Sequence, residues 1–281
     1  MTGRSLHDTL LRVLSYGPLR AQLLDTDAAA AITSDEWDIL RRVPKEPLRN
    51  MARFLARHYY GERIARLFRH IRRLALQTGR DPLSVLDSPK GRIVLDRAVL
   101  GSSDTAEELA SLLDTFLLED AGDIQKRFPY WRDLVRYQAT MFRLEGLRSE
   151  GRATDHPCRS ASAKIVQFKW DIPAIVAHLQ SPNDRLPTAA HGPSILLIAS
   201  SPNSQVISMR CTPNVQRLFE AADGTRTVED LGLAAGCSVQ QTEQVLKQMK
   251  EIGAVQWNDG ITAASHSSLA RPSLFFQDNV Q

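Results

Sequence analysis

The chain has 281 residues, 43% of them hydrophobic, with a net charge of +3 and a sequence pI of about 8.8. That length gives one or two domains with a core that needs neither disulfide nor metal, and so mild a positive charge does not mark a nucleic-acid binder. Cys158, Cys211 and Cys237 are too few and too widely spaced for a disulfide framework or a zinc pattern, so a reduced, cytoplasmic protein is expected.

The N-terminal "SLHDTLLRVLSYG" places Leu6, Leu10, Val13 and Leu14 at helical spacing, and the start lacks the apolar core and cleavage site of a signal peptide. No run approaches the roughly 18 apolar residues needed to span a membrane. Gly17-Pro18 punctuates the chain, and "TSDEWDILRRV" opens a helix capped at Thr33 or Ser34. From Leu48, Met51, Leu55 and Tyr59 continue the period, and Ile64, Leu67, Phe68, Ile71 and Leu74 repeat it, with a break expected at Tyr60-Gly61. A short helix near Arg92 to Val99 follows a Pro-containing connector. Asp104 or Thr105 then caps "AEELASLLDTFLLEDAGD", and Phe128-Pro129 bends the chain into a last helix through Glu145.

The pattern changes at Gly151, where "GRATDHPCRSASA" is rich in turn formers and marks a domain boundary. "KIVQFKW" alternates like a strand, "IPAIVAHL" is a short helix with Pro173 in its first turn, and "SILLIAS" and "QVISMRC" form a hairpin. Helices over 212–222, 227–235 and 238–252 follow. "GAVQWNDGITAA" closes the domain as strand, Asn258-Asp259-Gly260 turn and strand, a wing. The expectation is an α+β protein: a helical domain over 1–150, a winged-helix domain over 151–263 and a loose tail over 264–281.

Charge is unevenly placed. Residues 41–80 hold twelve Arg and Lys against Glu46 and Glu62, whereas 104–123 hold seven acids and no Arg or Lys. Either the two stretches pair or face solvent within the domain, or the basic face docks an acidic partner. No phosphate loop, dinucleotide fingerprint or nucleophile elbow is present. The seven histidines are scattered, and His156-Pro157-Cys158 is a lone pair of metal-capable side chains in a linker. Nothing assembles nucleophile, base and oxyanion donors; neither a catalytic set nor a metal site is expected.

A winged helix that reads DNA needs basic and amide side chains on its last helix. In "SVQQTEQVLKQMKEIG" the stripe Val239, Thr242, Val245, Leu246, Met249 and Ile252 turns inward. The outward set is Gln240, Gln241, Glu243, Gln244, Lys247, Gln248, Lys250 and Glu251, two positives against two negatives. The preceding "TVEDLGLAAG" carries Glu229 and Asp230 and no basic residue. That surface suits a polyanion poorly and an extended peptide better, added along the hairpin's edge strand. The candidate peptide contacts are Val206, Ser208 and Arg210 on the strand and Gln240, Gln244, Lys247, Gln248 and Glu251 on the helix. A DNA-binding regulator is the competing class, a stand-alone enzyme the third.

"LFEAADGTRTVEDLGLAAGCSVQQTEQVLKQMKEIGAV" resembles the second half of a PqqD-like domain, the recognition element for precursor peptides of ribosomally made natural products. "VPKEPLRNMARFLARHYYGERI" and "FPYWRDLVRYQATMFRLEG" resemble the helical half of partner subunits of multinuclear non-haem iron oxidative enzymes. Within that group the chain is most similar to the partner in 3-thiaglutamate biosynthesis, with the methanobactin partner the nearest alternative. The resemblance implies a non-catalytic chain that binds no cofactor itself. It would pair as a heterodimer with an iron-bearing TIM-barrel enzyme, bind a scaffold peptide's leader and present its C-terminal cysteine for β-carbon excision. Arg49, Arg53, Arg57, Tyr60, Tyr130, Trp131 and Arg136, in the two helical stretches, are then the candidate enzyme contacts. Neither nucleic acid nor membrane is an expected partner.

Overall fold

The computed structural model of the protein describes residues 3–24, 42–147, 154–181, 192–201, 203 and 205–258. It is an α+β protein whose chain divides into two units, Met1–Gly146 and Leu147–Gln281. The helix expected after Thr33, most of the wing and the C-terminal tail lie outside the described residues.

Among the described residues, every regular element of the first unit is helical. Helices α1 (Gly3–Ser15) and α2 (Gly17–Leu24) are nearly continuous: Gly17-Pro18 starts a helix rather than a loop, because proline's fixed φ and missing N–H suit a first turn. Arg20 is buried among them. Its guanidinium donates to the carbonyls of Val13 and Leu14 at 3.2 and 3.0 Å and of Asp96 at 2.5 Å, giving otherwise orphaned helix-end acceptors a partner.

Helix α3 (Lys45–Leu67) runs unbroken through Tyr60-Gly61. An isolated glycine costs a helix about 1 kcal/mol, and here neighbouring buried side chains offset it: Tyr60 and Ile64 are fully buried. The break comes at Phe68, before the short helices α4 (Arg69–Arg73) and α5 (Ala75–Thr78). A 3-10 turn (Pro82–Asp87) leads to α6 (Pro89–Arg97). Ser102, not Asp104 or Thr105, caps α7 (Ser103–Leu118) by accepting from Thr105 N at 3.1 Å. Helix α8 (Gly122–Arg127) precedes α9 (Trp131–Glu145), whose Leu134, Val135 and Phe142 are fully buried.

The second unit opens with β1 (Cys158–Arg159) and β2 (Ala163–Phe168), then α10 (Ile172–Gln180), β3 (Ser194–Ser200) and β4 (Val206–Arg210). Strands β2, β3 and β4 form an antiparallel sheet in that order. Helices α11 (Pro213–Ala221), α12 (Val228–Ala235) and α13 (Val239–Glu251) follow, capped by Thr212, Thr227 and Ser238. Strand β5 (Val255–Gln256) pairs with β1, Cys158 opposite Gln256 and Arg159 opposite Val255. The stretch read as a turn-rich linker thus supplies a strand, since backbone pairing asks little of side-chain composition.

One face of the sheet supports the helices: Ile165 on β2, Leu197 and Ala199 on β3, and Ile207 and Met209 on β4 pack with Leu218, Leu231, Leu246 and Met249 in a single core. The chain leaves α13 through Gly253 at φ +78°, and a Cβ there would stand 2.4 Å from the Ser200 carbonyl oxygen. Only glycine allows both the left-handed backbone and that approach.

Candidate functional site

Among the described residues, strand β4 forms one edge of the three-stranded sheet. Cys211 N donates to Ile195 O at 2.8 Å and Ser201 N to Gln205 O at 2.8 Å. These bonds set the phase of the ladder, so Ile207 and Met209 turn their backbone groups toward β3 while Val206 and Arg210 turn theirs outward. The side chains divide the same way. Ile207 and Met209 lean, half-buried, on the helix core. Val206, Ser208 and Arg210 lie on the opposite face with Val166, Leu196 and Ile198.

Arg210 is held in place. Its Nη2 donates to both carboxylate oxygens of Asp171 at 2.7 and 2.8 Å. Asp171 also accepts from Ala174 N at 3.2 Å as the N-cap of α10. The loop into α10 is tied across the same end of the sheet, where Ser194 Oγ donates to Trp170 O at 2.8 Å. Arg210 nonetheless stays 59% exposed.

Helix α13 buries Thr242, Leu246 and Met249 and half-buries Val245 against the core that also holds Ile207 and Met209. Val239, expected inside, is 43% exposed. Gln240, Gln244, Lys247 and Glu251 are exposed on the side of the helix away from the core, and half-buried Gln248 sits on the same flank as Val245. Lys250 on the other flank donates to Trp257 O at 3.2 Å and stands over that ring at 4.3 Å. The half-buried apolar residues Ile207, Met209 and Val245 were not among the sequence-derived contacts, and Val245 was assigned wholly to the core. Period-2 and period-3.6 patterns tell inside from outside but do not mark the seam where two elements meet.

The turn between α11 and α12 is locally determined. Asp223 Oδ1 accepts from Thr225 N at 3.0 Å and Thr225 Oγ1 at 2.6 Å, and these bonds hold its carboxyl below the usual range. Gly224 takes φ +87° with its N–H on Pro157 O at 3.0 Å.

The candidate enzyme contacts in the first unit separate into two groups. Tyr60, Tyr130 and Trp131 are fully buried. Tyr60 Oη donates to Val99 O at 2.7 Å and Trp131 Nε1 to Leu117 O at 2.9 Å. These three are corrected from surface contacts to core residues: large aromatics at helical spacing served packing. Among the described residues Tyr130 Oη has no hydrogen-bond partner, and burial pushes its phenol up to about 12. The arginines remain at the surface. Arg49 meets Glu46 at 2.6 Å, Arg53 grips both oxygens of Asp96 at 2.6 and 2.8 Å, and Arg57 grips Asp87 at 3.0 and 2.8 Å. Arg136 is exposed.

Three acids of the acidic helix find their cations outside the basic stretch. Glu107 and Asp114 take Arg143 at 2.8 and 2.7 Å, and Glu108 takes Arg97 at 2.9 Å. From the basic stretch Arg80 reaches α7, but through the carbonyls of Phe116 and Glu119. Among the described residues no cluster of three or more His, Cys, Asp or Glu could hold a metal ion, and no helix is long and apolar enough to cross a membrane. No protein-family model matches the chain, and no curated protein matches it in sequence.

Proposed function

We propose that this chain is a non-catalytic, peptide-binding subunit of an oxidative peptide-modifying enzyme. Its second unit is a winged-helix, PqqD-like module that receives the leader of a ribosomally made scaffold peptide along β4. Its first unit docks an iron-dependent barrel enzyme. The observation that carries the peptide reading is the edge strand β4, with the backbone groups of Val206 and Arg210 directed outward and the half-buried apolar side chains of Ile207 and Met209 on its helix-facing side. An extended peptide on such an edge gains main-chain hydrogen bonds and side-chain pockets together. The outward face of α13 mixes amides with both signs of charge, which suits a peptide better than a polyanion.

The sequence resemblance supplies the rest: the "FPYWRDLVRYQATMFRLEG" and "DGTRT" stretches are similar to partner subunits whose enzymes act on a C-terminal cysteine, in the nearest case by excising its β-carbon. Holding the leader raises the local concentration of that cysteine at the enzyme's metal site. Co-expression with an iron-dependent barrel enzyme and its scaffold peptide, followed by pull-down and metal analysis, tests this. A ternary complex with iron confined to the enzyme is the expected result. A chain that purifies alone, ignores the peptide and shifts DNA with a steep salt dependence would overturn it in favour of a regulator.

A further inference from the structure

Arg210 combines features that a purely structural surface ion pair does not require. It is on the edge strand, its backbone groups point outward, and more than half of its side chain is in solvent. Both of its bonds to Asp171 leave from one nitrogen, Nη2. A guanidinium carries five N–H donors, so the donors of Nε and Nη1 remain, and among the described residues no bond to them is made. Asp171 cannot easily follow a ligand, because it is also the N-cap of α10. The pair therefore presents fixed, spare N–H donors at the end of β4 rather than a mobile charge.

From this arrangement we infer that Arg210 is a specificity-determining residue that selects an acidic side chain in the bound peptide; the inference rests on the peptide reading above. The strand geometry defines where that acid stands. A peptide laid along β4 alternates its side chains between the two faces of the sheet. One set lies on the face of the half-buried Ile207 and Met209 and is apolar. The other set lies on the face of Val206 and Arg210, and the residue directly opposite Arg210 comes within cross-strand contact of it. The recognised sequence is thus an alternating one, apolar at every second position, with Asp or Glu an odd number of residues from the apolar anchors. Lysine in place of Arg210 would offer one compact ammonium without the guanidinium's planar set of donors. Because Asp171 already neutralises the guanidinium, selection works through directed hydrogen bonds more than through net charge.

The probe is a displayed random-peptide library panned on the full-length chain. Enriched peptides should alternate as described and carry the acid at the odd spacing. A synthetic peptide from that pool should bind Arg210→Gln roughly ten- to a hundredfold more weakly, the range for losing a charge-assisted hydrogen bond. Arg210→Glu should recover binding when the peptide's acid is changed to lysine. Unchanged thermal unfolding of both variants shows that the strand is intact. Enriched alternating peptides with no preference for an acid, or equal affinity for wild type and Arg210→Gln, would overturn the role of Arg210 while leaving peptide binding in place. No enrichment at all would remove the peptide reading and this inference with it.

Discussion

The two units use arginine differently. In the first unit the basic stretch looks, in sequence, like a surface built for a partner, yet six of its arginines are paired with carboxylates of the same unit. Arg63 meets Glu145 at 2.7 Å with both side chains less than a tenth exposed, and Arg66 reaches the same carboxylate. Arg53 and Arg57 are each held by two bonds to one carboxylate. In the second unit Arg210 is held through one nitrogen at the end of an edge strand, with 59% of its side chain exposed. A run of like charge along a chain therefore does not forecast a charged surface. What matters is whether the fold returns carboxylates to it from elsewhere, and here Asp87, Asp96 and Glu145 do so from 30 to 82 positions away.

The sharpest way to break this contrast is to remove the buried acid. Glu145→Ala would leave Arg63 charged, desolvated and short of a partner, with its Nη1 already unpaired. Removing one member of a buried pair costs about 3–5 kcal/mol, so denaturant unfolding should show a loss of that order. Replacing Arg63 and Glu145 together by Met should cost much less than the single change, because no buried charge is stranded. If Glu145→Ala unfolds like wild type, the pair is not buried in solution and the contrast fails.

Gly253→Ala probes the second unit's frame instead of its charge. The left-handed backbone costs a non-glycine residue roughly 1–2 kcal/mol, and the approach to the Ser200 carbonyl adds a clash that only backbone movement relieves. A loss of about 3 kcal/mol is expected, with weaker peptide binding because β3 carries β4. A stability loss with peptide affinity unchanged would separate the edge strand from the α13–β5 turn.

A smaller effect comes from the helix caps of the same unit. Thr227 and Ser238 each close a capping box, with Asp230 and Gln241 as the reciprocal partners. Thr227→Ala or Ser238→Ala should each cost about 1 kcal/mol by denaturant unfolding. A loss from Ser238→Ala alone would mean that α12 is held by packing and not by its cap.

These caps also show what the sequence made legible. Helix positions in both units follow from apolar spacing, and Thr212, Thr227 and Ser238 stand where a cap should, because capping is local chemistry within four residues. The hairpin β3–β4 was equally plain from its alternation around Ser-Pro-Asn-Ser. What failed was non-local. Strand β1 is two residues, Cys158 and Arg159, whose only strand signal is their partner β5 nearly a hundred residues later. The Tyr60-Gly61 break failed because packing of Tyr60 and Ile64 outweighs one glycine's propensity. Of the proposed peptide contacts, the strand residues are where alternation put them. The seam residue Val245 was missed, since half-burial is a property of two elements meeting.

The two buried tyrosines of the first unit give the finest distinction. Tyr60 donates to the Val99 carbonyl, whereas Tyr130 buries its hydroxyl without a partner. Tyr60→Phe should therefore cost about 1 kcal/mol, the net worth of a hydrogen bond whose acceptor is left behind. Tyr130→Phe should be near neutral or slightly stabilising, as it removes an unpaired polar group from the core. The pH dependence follows from the same burial. The folded phenol of Tyr130 is raised from 10.0 to about 12, so folding favours its protonated form. That contribution is complete below the unfolded value near 10 and is lost as pH climbs through about 12. Over this window wild type should lose more melting temperature than Tyr130→Phe. Equal slopes for the two proteins would mean that the Tyr130 hydroxyl reaches a partner or solvent, and that the first unit's core is less closed than its arginine pairing implies.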